Sequence, residues 1–194
     1  MGTALEVPRT TSSRRDTVHM VGTVAFGSVP TPLGDMLAAV TETGVAGVGW
    51  SGREGLRARF LEGLGLAEVD DPGRTAAVLG ELADYYAGRL RVFGVPVDWR
   101  LTSPVQRKVL GTLYETVAYG KAVTYGELAA RSGTGVPARA IGSIMGANPI
   151  PIIVPCHRVV AGNGLGGFSG GEGVESKRWL LTMEGYLQPT LDWD

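Results

Sequence analysis

The chain has 194 residues, 44% of them hydrophobic and 19% charged, with a formal net charge of −1 and a single cysteine. This is the composition of a globular protein long enough for a substantial core, in one domain or two small ones. One cysteine excludes an internal disulfide framework and any multi-cysteine metal site. No stretch of about 18 uninterrupted apolar residues marks a membrane span. Met1 to Asp16 is polar and lacks the apolar core of a secretory leader. It reads as a loose tail, and the expected compartment is the reducing cytoplasm, where a free thiol survives.

Charge is unevenly placed. Residues 1–98 carry nine Lys/Arg and twelve Asp/Glu, residues 99–160 carry seven and two, and residues 161–194 carry two and five. The middle segment alone is basic, which permits a polyanionic partner.

From Thr17 to Phe26 the sequence alternates and is rich in Val, as a strand is, with His19 a structural residue inside it. Val29 to Asp35 is turn chemistry. Met36–Thr41 and Val45–Trp50 flank Glu42-Thr43-Gly44 as a hairpin. Helices are expected over Arg53–Leu64 and Thr75–Ala87. In the second, Ala76, Leu79, Leu82, Ala83 and Tyr86 recur at helical spacing, and Gly88 stands just past its end. Leu90 to Trp99 reads as a further strand. No chemistry is visible in this first half.

Near residue 100 the texture turns helical. Ser103 is an N-cap with Pro104 at N1, and the helix continues through Val105, Val109, Leu110, Leu113 and Tyr114. After Tyr119-Gly120-Lys121, Thr124 and Glu127 have the spacing of a capping box and open a helix bearing Tyr125, Leu128 and Ala129. Ser132 to Gly135 is a tight turn into a second helix over 136–147, the pattern of a helix-turn-helix. Ala138, Ala140, Gly142, Ser143, Gly146 and Ala147 give that helix a surface suited to close approach, either to the protein's own core or to a groove of DNA. Arg139 is its one charged residue.

Asn148-Pro149 ends the helix and leads into Pro151 to Val160, where Cys156 and His157 stand side by side in an apolar run. Proline at 151 and 155 argues against a helix interior or central strand. Two readings of the cysteine stand at this point, an inert small core residue and a thiol activated by a neighbouring base. Asn163 to Gly171 is a glycine-dense loop without the Lys-Ser/Thr ending of a phosphate-binding loop, better suited to wrapping a pocket. A last helix over Val174–Glu184 turns Trp179, Leu180 and Met183 inward, with Gly185 past its end and a tail after it.

Taken together, Tyr125, Arg139, Asn148-Pro149, Pro155-Cys156-His157-Arg158-Val159 and Glu184-Gly185 resemble the O6-alkylguanine-DNA alkyltransferases, also called methylated-DNA–protein-cysteine methyltransferases. The resemblance is close from Ser103 to Gly185 and weaker over 17–99. It implies an α+β fold: a small RNase H-like domain over 17–99, then a helical domain with a helix-turn-helix over 100–187, between tails at 1–16 and 188–194.

The same resemblance implies a DNA-repair protein that moves an alkyl group from O6-alkylguanine, with O4-alkylthymine as a further substrate, onto its own cysteine once. Cys156 is then the acceptor, His157 its base through a bridging water, and Glu184 the group that holds the imidazole. Asn148 braces the turn, and Tyr125 donates to N3 of the leaving guanine. Arg139 enters the base stack where the nucleotide is flipped out, with Ala138, Ser143 and Tyr125 also against DNA from the minor groove. Val154, Pro155, Val159, Phe168 and Ser169 are the expected pocket.

The expected partner is alkylated double-stranded DNA. No cofactor, metal or membrane is expected, and the protein is a monomer that could load cooperatively, nucleoid-associated if bacterial. Phe168 stands where many relatives have tyrosine, and the chain between Gly171 and Trp179 is slightly longer, which leaves lesion size open. A lesion binder without alkyl transfer, a plain helix-turn-helix regulator and a cysteine hydrolase are the competing readings; Cys156, the Cys-His-Glu set and the undefined oxyanion site respectively weigh against them.

Overall fold

The computed structural model describes residues 22–189. The tail expected over 1–16, the start of the strand expected from Thr17, His19 and residues 190–194 of the C-terminal tail lie outside them. The fold is α+β, as expected. Strands β1 (Thr23–Val29), β2 (Met36–Thr41), β3 (Val45–Trp50) and β4 (Ala67–Glu68) form one sheet in the order β3-β2-β1-β4. The β1-β2 and β2-β3 pairs are antiparallel, and β4 lies parallel to β1.

Every residue of β2 and β3 is buried, which is why both read as near-continuous apolar runs. On β2 the side chains alternate. Met36, Ala38 and Val40 join the core under α2 (Pro72–Tyr86), while Leu37 and Ala39 pack with Leu56 and Phe60 of α1 (Leu56–Leu64) on the other face.

Several expectations for this half need correction. The first strand extends to Val29, because its pairing with β2 runs to Val29–Met36. Helix α1 begins at Leu56, after Gly55 in the left-handed region. Helix α2 begins earlier, because the Asp71 side chain caps Arg74 N–H with Pro72 at N1. Its buried face is Thr75, Val78, Leu82, Tyr85 and Tyr86; Leu82 and Tyr86 match the expected stripe, Leu79 and Ala83 are half-buried, and Ala76 is exposed. Residues 90–99 are not a strand. They make one bridge, Val97 to Val45, because Gly94 and Pro96 interrupt the ladder.

The free edge of β3 is occupied. Val45 N–H donates to Pro96 C=O (2.8 Å), Asp98 N–H to Val45 C=O (2.9 Å), and Val48 N–H to Pro149 C=O (2.8 Å). The last bond ties the sheet to the chain just ahead of Cys156.

The second half contains α3 (Pro104–Thr116), β5 (Val123–Thr124), α4 (Tyr125–Ser132), α5 (Ala138–Gly146), β6 (Val159–Val160) and α6 (Val174–Met183). The expected capping box of Thr124 with Glu127 forms, and Ser103, expected as an N-cap, closes a further box with Gln106. Beyond the expected helices, β5 pairs parallel with β6, Val123 opposite Val159 and Thr124 opposite Val160. One contiguous apolar core joins β2, β3 and α2 to α3, α4, α5, α6 and the Cys156 segment. The sheet is therefore part of the wall of the site.

A Cβ on Gly47 would stand 2.5 Å from Cε1 of the Phe60 ring. Gly47→Ala is expected to destabilise the protein by about 1–3 kcal/mol through overpacking, with part of the loss recovered in Gly47→Ala/Phe60→Leu. Urea unfolding of the parent and the two variants measures both effects.

Candidate active site

The approach to the thiol is a series of tight turns held by one amide. Asn148 Oδ1 accepts from Ile150 N–H (3.0 Å) and its Nδ2 donates to Val154 C=O (2.9 Å). Inside this clamp Ile152 has φ 75°, a left-handed conformation that costs a β-branched residue on the order of 1–3 kcal/mol. The Ile152 side chain is fully buried, so packing and the Asn148 clamp hold it there. Pro155, with φ −82° and ψ 65°, forms an inverse γ-turn. It is closed by Cys156 N–H to Val154 C=O at 2.8 Å. Cys156–Arg158 is a single 3₁₀ turn. It leaves the thiol at a cavity wall and sends His157 into the core, fully buried.

Glu184 lies beneath. Its Oε1 accepts from Tyr85 OH (2.7 Å), His157 Nε2 (2.9 Å) and Arg158 Nη2 (2.9 Å). Its Oε2 accepts from Arg158 Nε (2.9 Å) and Gly120 N–H (3.3 Å). Arg158 Nη1 donates to Val117 C=O at 2.8 Å, so the buried guanidinium is paired and spent on the interior. It contributes nothing to the basic surface that the sequence count suggested.

Burial opposes ionisation of Glu184, but the hydrogen bonds and charges of His157 and Arg158 outweigh it and hold the carboxyl at about 2. The two guanidinium bonds from Arg158 favour the ionised form of Glu184 even beside a neutral imidazole. Burial pushes His157 down, Glu184 pulls it up, and Arg158 and Lys177 add to the downward shift. The neutral ring donates from Nε2 to Glu184. That leaves Nδ1 as an acceptor, buried and without a partner among the described residues.

Burial pushes the Cys156 thiol up, opposed by Asn148, by Lys177 and by nearby backbone N–H groups. Lys177, fully buried, donates from Nζ to Val159 C=O (2.6 Å) and Gly167 C=O (3.0 Å). Burial brings it down to about 8. These two bonds pin the glycine loop to the strand that follows the thiol.

Cys156 opens into a cavity of about 620 Å³ lined by Tyr125, Ala138, Arg139, Gly142, Phe168 and Ser169 among others. The β5–β6 register brings Tyr125, the first residue of α4, beside the Cys156 segment. Gly166, at φ 70°, lies so close that a Cβ would stand 2.9 Å from the Tyr125 hydroxyl. On α5, Ile141, Ile144 and Met145 face the core, while Ala138, Arg139, Ser143, Gly146 and Ala147 are exposed.

Phe168 meets Trp50 edge-on at 6.2 Å. A second cavity of about 250 Å³ passes from Cys156 between Trp50, Arg53, Phe60 and Asn148.

The structure thus gathers Cys156, His157, Glu184, Asn148 and Tyr125 at one place, with Arg139, Phe168 and Ser169 at the mouth. Val154, Pro155 and Val159 are placed differently. All three are buried behind the thiol, and neither cavity is lined by them. Their apolar side chains fix the backbone, while Met145, Gly142, Gly146 and Gly167 take the lining positions.

Residues 104–186 match the family model described as the DNA binding domain of 6-O-methylguanine DNA methyltransferase. The methylated-DNA–protein-cysteine methyltransferase of Salmonella typhimurium is 43% identical over 127 residues, covering 65% of this chain and 71% of that protein. The chain belongs to the methylated-DNA–protein-cysteine methyltransferase family.

The protein of that name from Mycobacterium tuberculosis is 44% identical over 115 residues, 59% of this chain and 67% of its own. The crystal structure of Mycobacterium tuberculosis O6-methylguanine methyltransferase superposes with a TM-score of 0.70 at 33% identity, covering 86% of this chain and 96% of that one. A structure of the mycobacterial protein in complex with DNA gives the same TM-score and identity, with 83% and 92% covered.

Sequence reasoning passed over four members of this methyltransferase's site. Arg158 stood inside the recognised pentapeptide with no role assigned. Lys177 shares its helix face with Leu180, Leu181 and Glu184, a spacing that points a lysine inward. Tyr85 and Trp50 come from the half in which no chemistry was expected, which corrects that expectation.

Glu184 is depressed from 4.5 to about 2. The stability it contributes is therefore present above pH 4.5 and lost as pH falls toward 2. His157, depressed below 6.5, likewise contributes stability that is present above pH 6.5 and lost as pH falls below it toward the lowered folded value. Glu184→Gln leaves Arg158 buried without a counter-ion and is expected to cost about 3–5 kcal/mol at pH 7. That deficit relative to the parent should shrink as pH falls from 4.5 toward 2. Denaturant titrations across that range measure it.

Proposed function

We propose that the protein repairs DNA by moving the alkyl group of O6-alkylguanine onto Cys156, once per molecule. The carrying observation is that its one cysteine stands at a cavity wall, next in the chain to a buried imidazole whose Nδ1 has no partner among the described residues. In this reading the thiol proton passes through a bridging water to His157 Nδ1. Sγ then attacks the alkyl carbon, an S–C bond forms, the C–O6 bond breaks, and the electron pair leaves with the guanine. Glu184 stabilises the imidazolium formed, as the third member of a nucleophile–base–orienter set.

Tyr125 is kept protonated by burial first and the nearby Cys156 second, so its hydroxyl is available to donate to N3 of the departing base. A thioether has no other thiol in this chain to release it, which supports a single turnover. O4-alkylthymine offers the same alkyl–oxygen bond as a secondary substrate.

O6 lies inside a duplex, so the nucleotide has to be flipped to meet a thiol in a cavity. The exposed small residues on α5 support close approach of that helix to the minor groove. Arg139, at the cavity mouth, is suited to fill the gap left in the stack. The second cavity, open to Cys156, favours lesions larger than methyl as additional substrates. The domain division, residues 17–99 and 100–187, serves this reading as a supporting wall and a DNA-binding, alkyl-accepting unit.

Intact-protein mass spectrometry after incubation with O6-methylguanine duplex is expected to show a gain of about 14 Da, absent in Cys156→Ser. An unmodified parent protein that still binds the duplex would overturn the proposal in favour of a lesion binder. In the same assay Arg139→Ala should slow reaction with duplex far more than with free O6-alkylguanine base. Equal slowing would remove Arg139 from flipping.

A further inference from the structure

Tyr85 comes from the first half of the chain and reaches the His157–Glu184 pair. It projects from the C-terminal turn of α2 and is fully buried. Its ring is fixed by Tyr86 (5.3 Å), Phe93 (5.4 Å) and Tyr119 (6.3 Å) between centroids. The hydroxyl is 2.7 Å from Glu184 Oε1 and 3.3 Å from His157 Nε2. It therefore touches both the base and the group that orients it.

Other titratable or charged groups face this pair. Arg158 and Lys177 act on His157, and Arg158 also pairs with Glu184. Tyr119 lies over Arg158, with Arg91 beyond it, and Cys156 is the chain neighbour of His157. Of these, Tyr85 alone reaches the shared oxygen, Glu184 Oε1, from the sheet-bearing half of the chain.

We propose that Tyr85 is a positioning residue for alkyl transfer: its hydroxyl donates to Glu184 Oε1, fixes the carboxylate that holds His157, and lowers the proton affinity of the imidazole. This rests on the reading of Cys156 as acceptor and His157 as base. The physical argument is competition for one oxygen. A carboxylate oxygen that already accepts from a phenol has less negative charge to offer an imidazolium. The phenol serves as donor throughout, because burial first and Glu184 second push its ionisation well above the ordinary tyrosine range. Without the hydroxyl, Glu184 pulls harder on the ring proton and less of the base is neutral at mildly acidic pH.

The test uses the full chain with Tyr85→Phe, and Tyr86→Phe as control, since the Tyr86 hydroxyl meets Met36 Sδ rather than this network. Two quantities are read: single-turnover methyl transfer from O6-methylguanine duplex against pH, and His157 titration by imidazole ¹⁵N shifts. Tyr85→Phe is expected to slow transfer at the plateau roughly tenfold, as loss of a hydrogen bond to a charged group does. The His157 midpoint and the acid limb should both move upward by roughly half to one pH unit, with no movement in Tyr86→Phe. An unchanged midpoint and rate in folded Tyr85→Phe, or equal shifts in both variants, would overturn the proposal.

If Tyr85→Phe does not fold, 3-fluorotyrosine at position 85 keeps the ring and strengthens the donor. The His157 midpoint should then fall, and no change would be contradictory. Failure of the parent protein to transfer methyl would count against the reading of Cys156, whereas the ¹⁵N titration judges Tyr85 independently of any transfer.

Discussion

One buried carboxylate holds this site together. Glu184 accepts hydrogen bonds from α2, from the turn before β5, and from both residues that follow Cys156. An isolated buried charge would be costly, and the fixed guanidinium of Arg158 makes it tenable. Once Glu184 is fixed as an anion, the imidazole has a defined orientation and tautomer, and the 3₁₀ turn that carries the imidazole sets the thiol at the cavity wall. The strained turn at Ile152, the Asn148 clamp and the Lys177 bonds then hold the surrounding backbone.

The two halves of the chain are joined through this centre as well as through their shared core. Val48 holds Pro149, Trp50 meets Phe168, and Tyr85 reaches Glu184. A helical unit with a cysteine in a turn would have an exposed rear wall. The sheet supplies it, and with it the low-dielectric surroundings in which the hydrogen bonds of Glu184 are strong. The exposed small residues of α5 are on the far side, where a duplex would approach, so rigidity behind the thiol and access in front of it come from different elements.

Much of this was legible in the residues. The hairpin strands matched because fully apolar runs broken by Glu42-Thr43-Gly44 have few other solutions. The helices at Ser103 and Thr124 matched because capping chemistry is local. Cys156, His157, Glu184, Asn148 and Tyr125 were recognised as a set. What was missed depends on contacts distant in sequence. The burial phase of α2 turns on which side meets the sheet, and Tyr85 acquires its role from a residue 99 positions away. Residues 90–99 have strand composition, but Gly94 and Pro96 deny them a ladder. Val154, Pro155 and Val159 were expected in the pocket from the resemblance, whereas all three are buried and line neither cavity.

The central claim is that Glu184, held ionised by Arg158, fixes the His157 proton on Nε2, while burial keeps the ring neutral and leaves its Nδ1 free. Imidazole ¹⁵N chemical shifts of the intact protein at pH 7, with His157 assigned by comparison with His157→Gln, test this directly. The account predicts a protonated Nε2 and an unprotonated Nδ1. A ring protonated on Nδ1, as the other neutral tautomer or as imidazolium at that pH, would contradict it.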